Sequence, residues 1–215
     1  MNRPEPVRRF AVAYSSLCGR ALPYRRVNTA ADNATPTTKT VPLMHPATPP
    51  LLMLDIDGVV NVFGDLGASL VSFELEFTID GRYAVRIPSG TRERLGRLER
   101  AFEIAWASTW PESAVAELSA RLRLEAWPRI EIPADASGPD FKWGSLVRFA
   151  GARPFAWVDD QLADGCLDLV RRRDAVGSPT LAVSTRTNRG LDDDHVERLM
   201  AWARALAAPP GPGPR

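Results

Sequence analysis

The chain of 215 residues carries 27 Lys and Arg against 26 Asp and Glu, a formal net charge of +1, with 45% hydrophobic and 25% charged residues. These proportions fit one soluble globular domain with length to spare for tails, and the balance offers no whole-chain attraction to nucleic acid or anionic lipid. No stretch approaches the roughly 18 consecutive apolar residues of a membrane helix, which excludes a spanning protein. Cys18 and Cys166 lie far apart and have only His45 and His195 for company, too little for a disulfide framework or a four-ligand zinc site. A reducing, cytoplasmic setting is expected.

The charge is unevenly placed. Residues 1–49 hold Arg3, Arg8, Arg9, Arg20, Arg25, Arg26 and Lys39 against Glu5 and Asp32, a net of +5, so the remainder carries −4. This segment is rich in Pro, Thr, Ala and Arg and shows no period of 2 or 3.6. It reads as a disordered basic tail, and its start also suits a targeting peptide or a start codon upstream of Met44 or Met53. Residues 209–215, Pro-Pro-Gly-Pro-Gly-Pro-Arg, read as a second tail.

The body over 50–208 is of usual size for one domain. It opens with Leu51-Leu52-Met53-Leu54, the unbroken apolar run of a strand buried on both faces of a parallel sheet. Over 71–87 the pattern alternates, with Val71, Phe73, Leu75, Phe77 and Ile79 before Asp80-Gly81 and Tyr83, Val85 and Ile87 after it, which predicts a β-hairpin. A helix is expected from about 91 to 101, a strand over Phe102–Ala107, and a helix after Pro111 with Val115, Leu118 and Leu122 on one face. Trp127–Pro139 reads as loop, followed by a short helix over about 140–150 and the strand Phe155–Val158. A helix with Leu162, Cys166, Leu169 and Val170 facing inward, the strand Thr180–Val183 and a last helix complete the chain. Strands alternating with helices in this way predict an α/β fold, a three-layer Rossmann-like parallel sheet with helices on both faces and a small β-hairpin inserted after the first strand.

Ligands of such sheets bind outside the carboxyl ends of the strands. The residues there are polar: Asp55-Ile56-Asp57-Gly58, then Ser108-Thr109, then Asp159-Asp160, with Lys142 opening the helix before the third of these strands. Lys142 is also one of only two lysines in the chain, the other being Lys39. Four carboxylates in one dry cleft repel unless a cation lies between them, and an all-oxygen set suits Mg²⁺. Asp55 is then a competent nucleophile on phosphorus, forming an aspartyl-phosphate, and Asp57 a proton donor to the leaving group. Ser108 and Lys142 would grip the phosphoryl oxygens.

The ordered set Asp55-Ile56-Asp57-Gly58-Val59, Ser108, Lys142 and Val158-Asp159-Asp160 resembles the four motifs of the haloacid dehalogenase-like hydrolase superfamily, over roughly Leu51–Leu206. The resemblance implies a Rossmann-like fold, an Asp55 nucleophile that is also a metal ligand, and Asp57 as acid/base with a metal-binding backbone carbonyl. It further implies Ser108 as the phosphate-binding hydroxyl with Thr109 as its possible substitute, Lys142 as the third-motif cation, Asp160 as direct metal ligand and Asp159 as its acidic companion. The hairpin then occupies a cap position, as a minimal cap. Trp106–Trp110 and Pro154–Asp160 also resemble a group of small domains within this superfamily, some associated with RNA-repair proteins.

The function so implied is a Mg²⁺-dependent phosphatase acting on a phosphorylated small molecule or nucleic-acid end, as a monomer or homodimer. The alternative is a catalytically weak phosphate- or nucleic-acid-binding module of the same fold. A phospho-accepting receiver domain is disfavoured by the order of its acidic groups and lysine, and no Gly-x-Gly-x-x-Gly or Walker loop follows any strand. Elsewhere, Arg171-Arg172-Arg173 reads as a solvated helix end and Asp192-Asp193-Asp194 as the acidic start of the last helix. Trp110 and Trp143 are candidates for cleft walls or base stacking, His195 for a surface residue, and Cys166 for an inert buried thiol.

Overall fold

A computed structural model describes residues 48–208 apart from 65–69, 78–80, 134 and 139. The expectations for 1–47 and 209–215, and for the tip of the hairpin, lie outside the described residues. The elements run β1 (Leu51–Leu54), β2 (Leu70–Phe77), β3 (Gly81–Pro88), α1 (Thr91–Leu98), β4 (Glu103–Trp106), α2 (Glu112–Arg121), α3 (Trp143–Ala150), β5 (Phe155–Asp159), α4 (Asp164–Ala175), β6 (Thr180–Ser184) and α5 (Asp193–Ala207). Strands β4-β1-β5-β6 form one parallel sheet in that order, and β2 and β3 form a separate antiparallel ribbon.

Alternation along the central strands divides the interior in two. Leu52 and Leu54 face one side, where they meet Leu95 and Leu98 of α1, Val115 and Leu118 of α2, and Val196 and Leu199 of α5. Leu51 and Met53 face the other, against Leu146 of α3 and Cys166 of α4. This is the expected three-layer arrangement, and it explains why β1 reads as continuously apolar: all four of its residues are fully buried. The hairpin belongs to the first layer through Leu75, Val85 and Ile87, while Phe73 lies beneath the Arg121 guanidinium at 5.0 Å. Val71, the first apolar position of the alternation, is exposed at the open end of the ribbon.

The loop reading over Trp127–Pro139 holds among the described residues with one added contact, while Arg173 departs from its expectation. The loop after α2 lends the sheet an edge, since Trp106 N–H donates to Pro128 O at 2.9 Å and Ile130 N–H to Trp106 O at 2.8 Å. Arg173, expected in solvent with Arg171 and Arg172, is buried instead. Its Nη1 donates to Ser178 O and to Thr180 Oγ1, at 3.2 and 2.6 Å, and its Nη2 to Gly151 O and Arg153 O, at 2.8 and 3.0 Å. The guanidinium also lies over the Phe155 ring at 4.6 Å. It therefore ties the end of α3 and the entries of β5 and β6 together, a use of the planar five-donor fork that an ammonium cannot reproduce. We expect Arg173→Lys to cost about 2 kcal/mol, measured as a lowered midpoint in urea unfolding, because buried carbonyls lose donors that one ammonium cannot replace.

Candidate active site

Register brings the motif residues together. Leu54 pairs with Trp106 of β4 and with Val158 of β5, so the residues following each strand emerge at one level of the sheet. Alternation then sends Asp55 and Asp159 to the face shared by Met53 and Trp157, which is the side covered by α3. Lys142 caps the start of α3 there. Its ammonium donates to Asp55 Oδ2 at 2.6 Å and to Asp159 Oδ2 at 2.7 Å, and all three residues are buried. The remaining oxygens are engaged by neighbours: Ile56 N–H donates to Asp55 Oδ1 at 2.8 Å, and Gln161 N–H to Asp159 Oδ1 at 2.9 Å. Trp157 Nε1 adds a donation to Asp159 Oδ2 at 3.2 Å.

Asp57 turns away from this ion pair into an envelope of donors. Trp110 Nε1 reaches its Oδ2 at 2.8 Å and Asn61 Nδ2 its Oδ1 at 2.7 Å, while the Tyr83 hydroxyl approaches Oδ1 at 3.5 Å. Asn61, fully buried, in turn accepts the backbone N–H of Arg86 from β3 at 2.8 Å. Ser108 is buried beside the start of α2 and accepts Trp110 N–H at 3.4 Å, whereas Thr109 is exposed. Asp55, Asp57, Ser108, Thr109, Lys142 and Asp159 all line one open cleft of about 300 Å³, together with Phe141, Trp157 and Gln161.

Asp160 completes a cluster. One oxygen from each of Asp55, Asp159 and Asp160 lies within 4.8 Å of the others, while the Asp57 side chain stands outside that group. Thr187 holds Asp160 Oδ2 at 2.5 Å, and Asp160 Oδ1 is buried with no hydrogen-bond partner. Three clustered carboxylates, one of them keeping a buried oxygen without a hydrogen-bond partner, are a donor set for a hard cation, and these residues fit one. The space is shaped by Gly58, whose φ of +70° suits glycine and where a Cβ would fall 2.2 Å from the Asp160 carboxyl.

Several of these contacts escape sequence reasoning. Asn61 and Thr187 carry no local signal, because each reaches its carboxylate through a loop path. Trp157 had one: it precedes Asp159 by two residues in a strand, so parity sets the indole beside the carboxylate. Trp110, a candidate for a cleft wall or base stacking, is instead buried in the core, where its indole N–H donates to Asp57. Trp143 instead packs with Phe155 and Trp157, at 5.9 and 6.3 Å between ring centres. His195 serves the start of α5, its Nδ1 accepting Asp192 N–H while Asp192 caps His195 N–H.

Burial dominates the electrostatics. It pushes the Asp55 carboxyl up to about 7, against the pull of Lys142 and with the help of Asp159, and it raises Asp57 and Asp160 as well. Burial opposes the charge on Lys142, but Asp55 and Asp159 outweigh it and hold the ammonium above its ordinary range. The folded protein thus holds a proton on Asp55 that the unfolded chain, at 3.8, releases. The carboxylate therefore costs stability above about pH 7, and that cost fades as pH falls toward the unfolded value. We expect metal-free Asp55→Asn to unfold at higher temperature than wild type at about pH 8, by about 1 kcal/mol, with the gap closing near pH 4 in a chelator-buffered thermal series.

No family model matches the chain, and no curated protein does. Among solved structures, it is similar to the RNA polymerase II CTD phosphatase Fcp1 of fission yeast at 12% identity and a TM-score of 0.40, over 74% of this chain and 50% of that one. The chain thus spans half of that protein's length. It is also similar to the cobalt-bound deoxy-D-mannose-octulosonate 8-phosphate phosphatase of Haemophilus influenzae, at 14% identity and a TM-score of 0.38, over 75% and 91% of the two chains. A third likeness is to a putative HAD superfamily (subfamily III A) hydrolase of Legionella pneumophila, at 13% identity and a TM-score of 0.38, over 75% and 85%. The sheet carries Asp55, Asp57, Ser108, Asp159 and Asp160 at or just beyond its strand ends, with Lys142 at the start of α3.

Proposed function

We propose that this domain is a cation-dependent phosphomonoesterase, with Asp55 as nucleophile and Asp57 as general acid and then base. The observation that carries this reading is the Lys142 ammonium buried between Asp55 and Asp159, with Asp160 beside them. Gathering like charges out of water costs a fold stability, so such a cluster at the floor of a cleft is better explained by a ligand than by packing. Asp55 and Asp57 sit two residues apart in environments that treat them differently, one paired with an ammonium and one held by neutral donors. That difference suits the division between nucleophile and acid.

In the first step a lone pair of the Asp55 carboxylate forms a bond to phosphorus as the bond to the ester oxygen breaks. The departing oxygen takes its proton from Asp57. Water then attacks the same phosphorus, giving its proton to the Asp57 carboxylate, and the phosphorus–Asp55 bond breaks to release inorganic phosphate and restore both carboxyls. Lys142 and the Ser108 hydroxyl, with Thr109 at the rim, hold the non-bridging oxygens. Mg²⁺, held by Asp55, Asp159, Asp160 and the Asp57 carbonyl, would neutralise charge on the phosphoryl oxygens when bound. The small hairpin leaves the cleft open, which suits either a phosphorylated metabolite or a nucleic-acid end. Among the described residues no helix is long and apolar enough to cross a membrane.

The test is phosphate release from 4-nitrophenyl phosphate and from a panel of sugar, nucleotide and RNA-end phosphates, with and without Mg²⁺. We expect wild-type turnover to require the cation and Asp55→Asn to lose about 10³-fold or more of kcat. Saturating Mg²⁺ should also raise the unfolding temperature, by the equivalent of about 2.7 kcal/mol at a hundredfold excess over its dissociation constant, and Asp160→Asn should abolish that rise. A wild type that binds the cation yet releases phosphate from no member of the panel overturns the enzymatic reading in favour of a binding module.

A further inference from the structure

The hairpin leaves the cleft open, yet it bears directly on Asp57. Asp57 receives three donors, and two of the three paths lead into the ribbon: Tyr83 lies on β3, and Asn61 is fixed by the backbone N–H of Arg86 on β3. Val62 N–H also donates to Arg86 O at 3.0 Å, so the segment after Asp57 is clamped to β3 on both sides of one residue. The third donor, Trp110, meets the edge of the Tyr83 ring at 5.4 Å and 85°. Trp110 is 5% exposed and Asn61 fully buried, so both hold their positions by packing. Hydrogen bonds in such surroundings fix the direction of a carboxyl group closely, and a proton transfer depends on that direction.

Resting on the phosphatase reading above, we propose that Trp110, Asn61 and Tyr83 are positioning residues for the Asp57 carboxyl, and that the β2–β3 ribbon is part of the acid/base apparatus. Asn61 and Trp110 make the short bonds, at 2.7 Å to Oδ1 and 2.8 Å to Oδ2, and take the larger shares; Tyr83, at 3.5 Å, takes a smaller one. None of the three touches the phosphoryl group in this scheme. Their contribution is confined to the step in which a proton reaches the leaving oxygen.

That confinement sets the experiment. Phenyl phosphate and 4-nitrophenyl phosphate are alike in size, but the nitrophenolate departs readily without a proton and the phenolate does not. Trp110→Phe deletes the N–H while keeping a ring, and we expect it to lower kcat on phenyl phosphate about 30-fold and on 4-nitrophenyl phosphate by less than about 3-fold, with KM little changed. Tyr83→Phe should show the same leaving-group bias at smaller size. Equal losses on the two esters would mark a structural role and overturn the proposal.

A second readout needs no turnover. The assigned Trp110 indole ¹H–¹⁵N resonance of the metal-free protein, recorded at a pH where Asp57 is ionised, should move upfield in Asp57→Asn, because a neutral amide oxygen accepts more weakly than a carboxylate oxygen. An unmoved resonance overturns the contact itself, and this measurement decides the matter if Trp110→Phe does not fold. A wild type that cleaves neither ester while the indole resonance responds to Asp57→Asn refutes the phosphatase reading, and the acid role with it, but not the contact.

Discussion

Four carboxylates, Asp55, Asp57, Asp159 and Asp160, come to one short stretch of sheet edge, and their repulsion is a constraint that the surrounding structure has to meet. It does so unequally. Lys142 supplies the one buried ammonium among the described residues of the cleft, shared between Asp55 and Asp159. Asp57 is satisfied by neutral donors, and Asp160 keeps one oxygen unsatisfied. The local charge remains negative after the lysine is counted, which is the electrostatic invitation to a cation. Remove the ammonium and the two carboxylates nearest the sheet lose their counter-charge in a medium that cannot screen them.

The backbone makes that concentration possible. Parallel strands in register end together, and Leu54 aligned with both Trp106 and Val158 puts three chain segments at the same height where none has yet begun its next helix. Loose N–H groups at those ends meet the carboxylates, as with Ile56 for Asp55 and Gln161 for Asp159. A slip of one residue in β1 would send Asp55 to the face of α1, α2 and α5, away from Lys142.

Much of this was legible beforehand, and for a physical reason. Strand β1 announces itself because a strand buried on both faces has no polar positions, and the motif residues stand out because polar groups at the ends of such strands have few structural uses. The hairpin was visible in its alternation. What was not visible is what depends on the path of loops: Asn61 reaching back to Asp57, Thr187 reaching Asp160, and the edge contacts of Pro128 and Ile130 with Trp106. Arg173 misled for another reason. Its place in a run of three arginines near a helix end looks solvated, and only the neighbouring carbonyls of Gly151, Arg153 and Ser178 reveal what it holds.

The sheet separates the two cores, and with them the supports of the two carboxylates at the centre of the proposed chemistry. Asp55 and its lysine lean on the layer of α3 and α4, while Asp57 leans on Trp110 and the hairpin, in the layer of α1, α2 and α5. Loosening one layer therefore need not loosen the other. On the proposed chemistry, sequence drift in the hairpin and in α2 would retune proton delivery, while the side around Lys142 stays under separate restraint. A domain built this way has two adjustable halves meeting at a single strand end, and one can change without reopening the other.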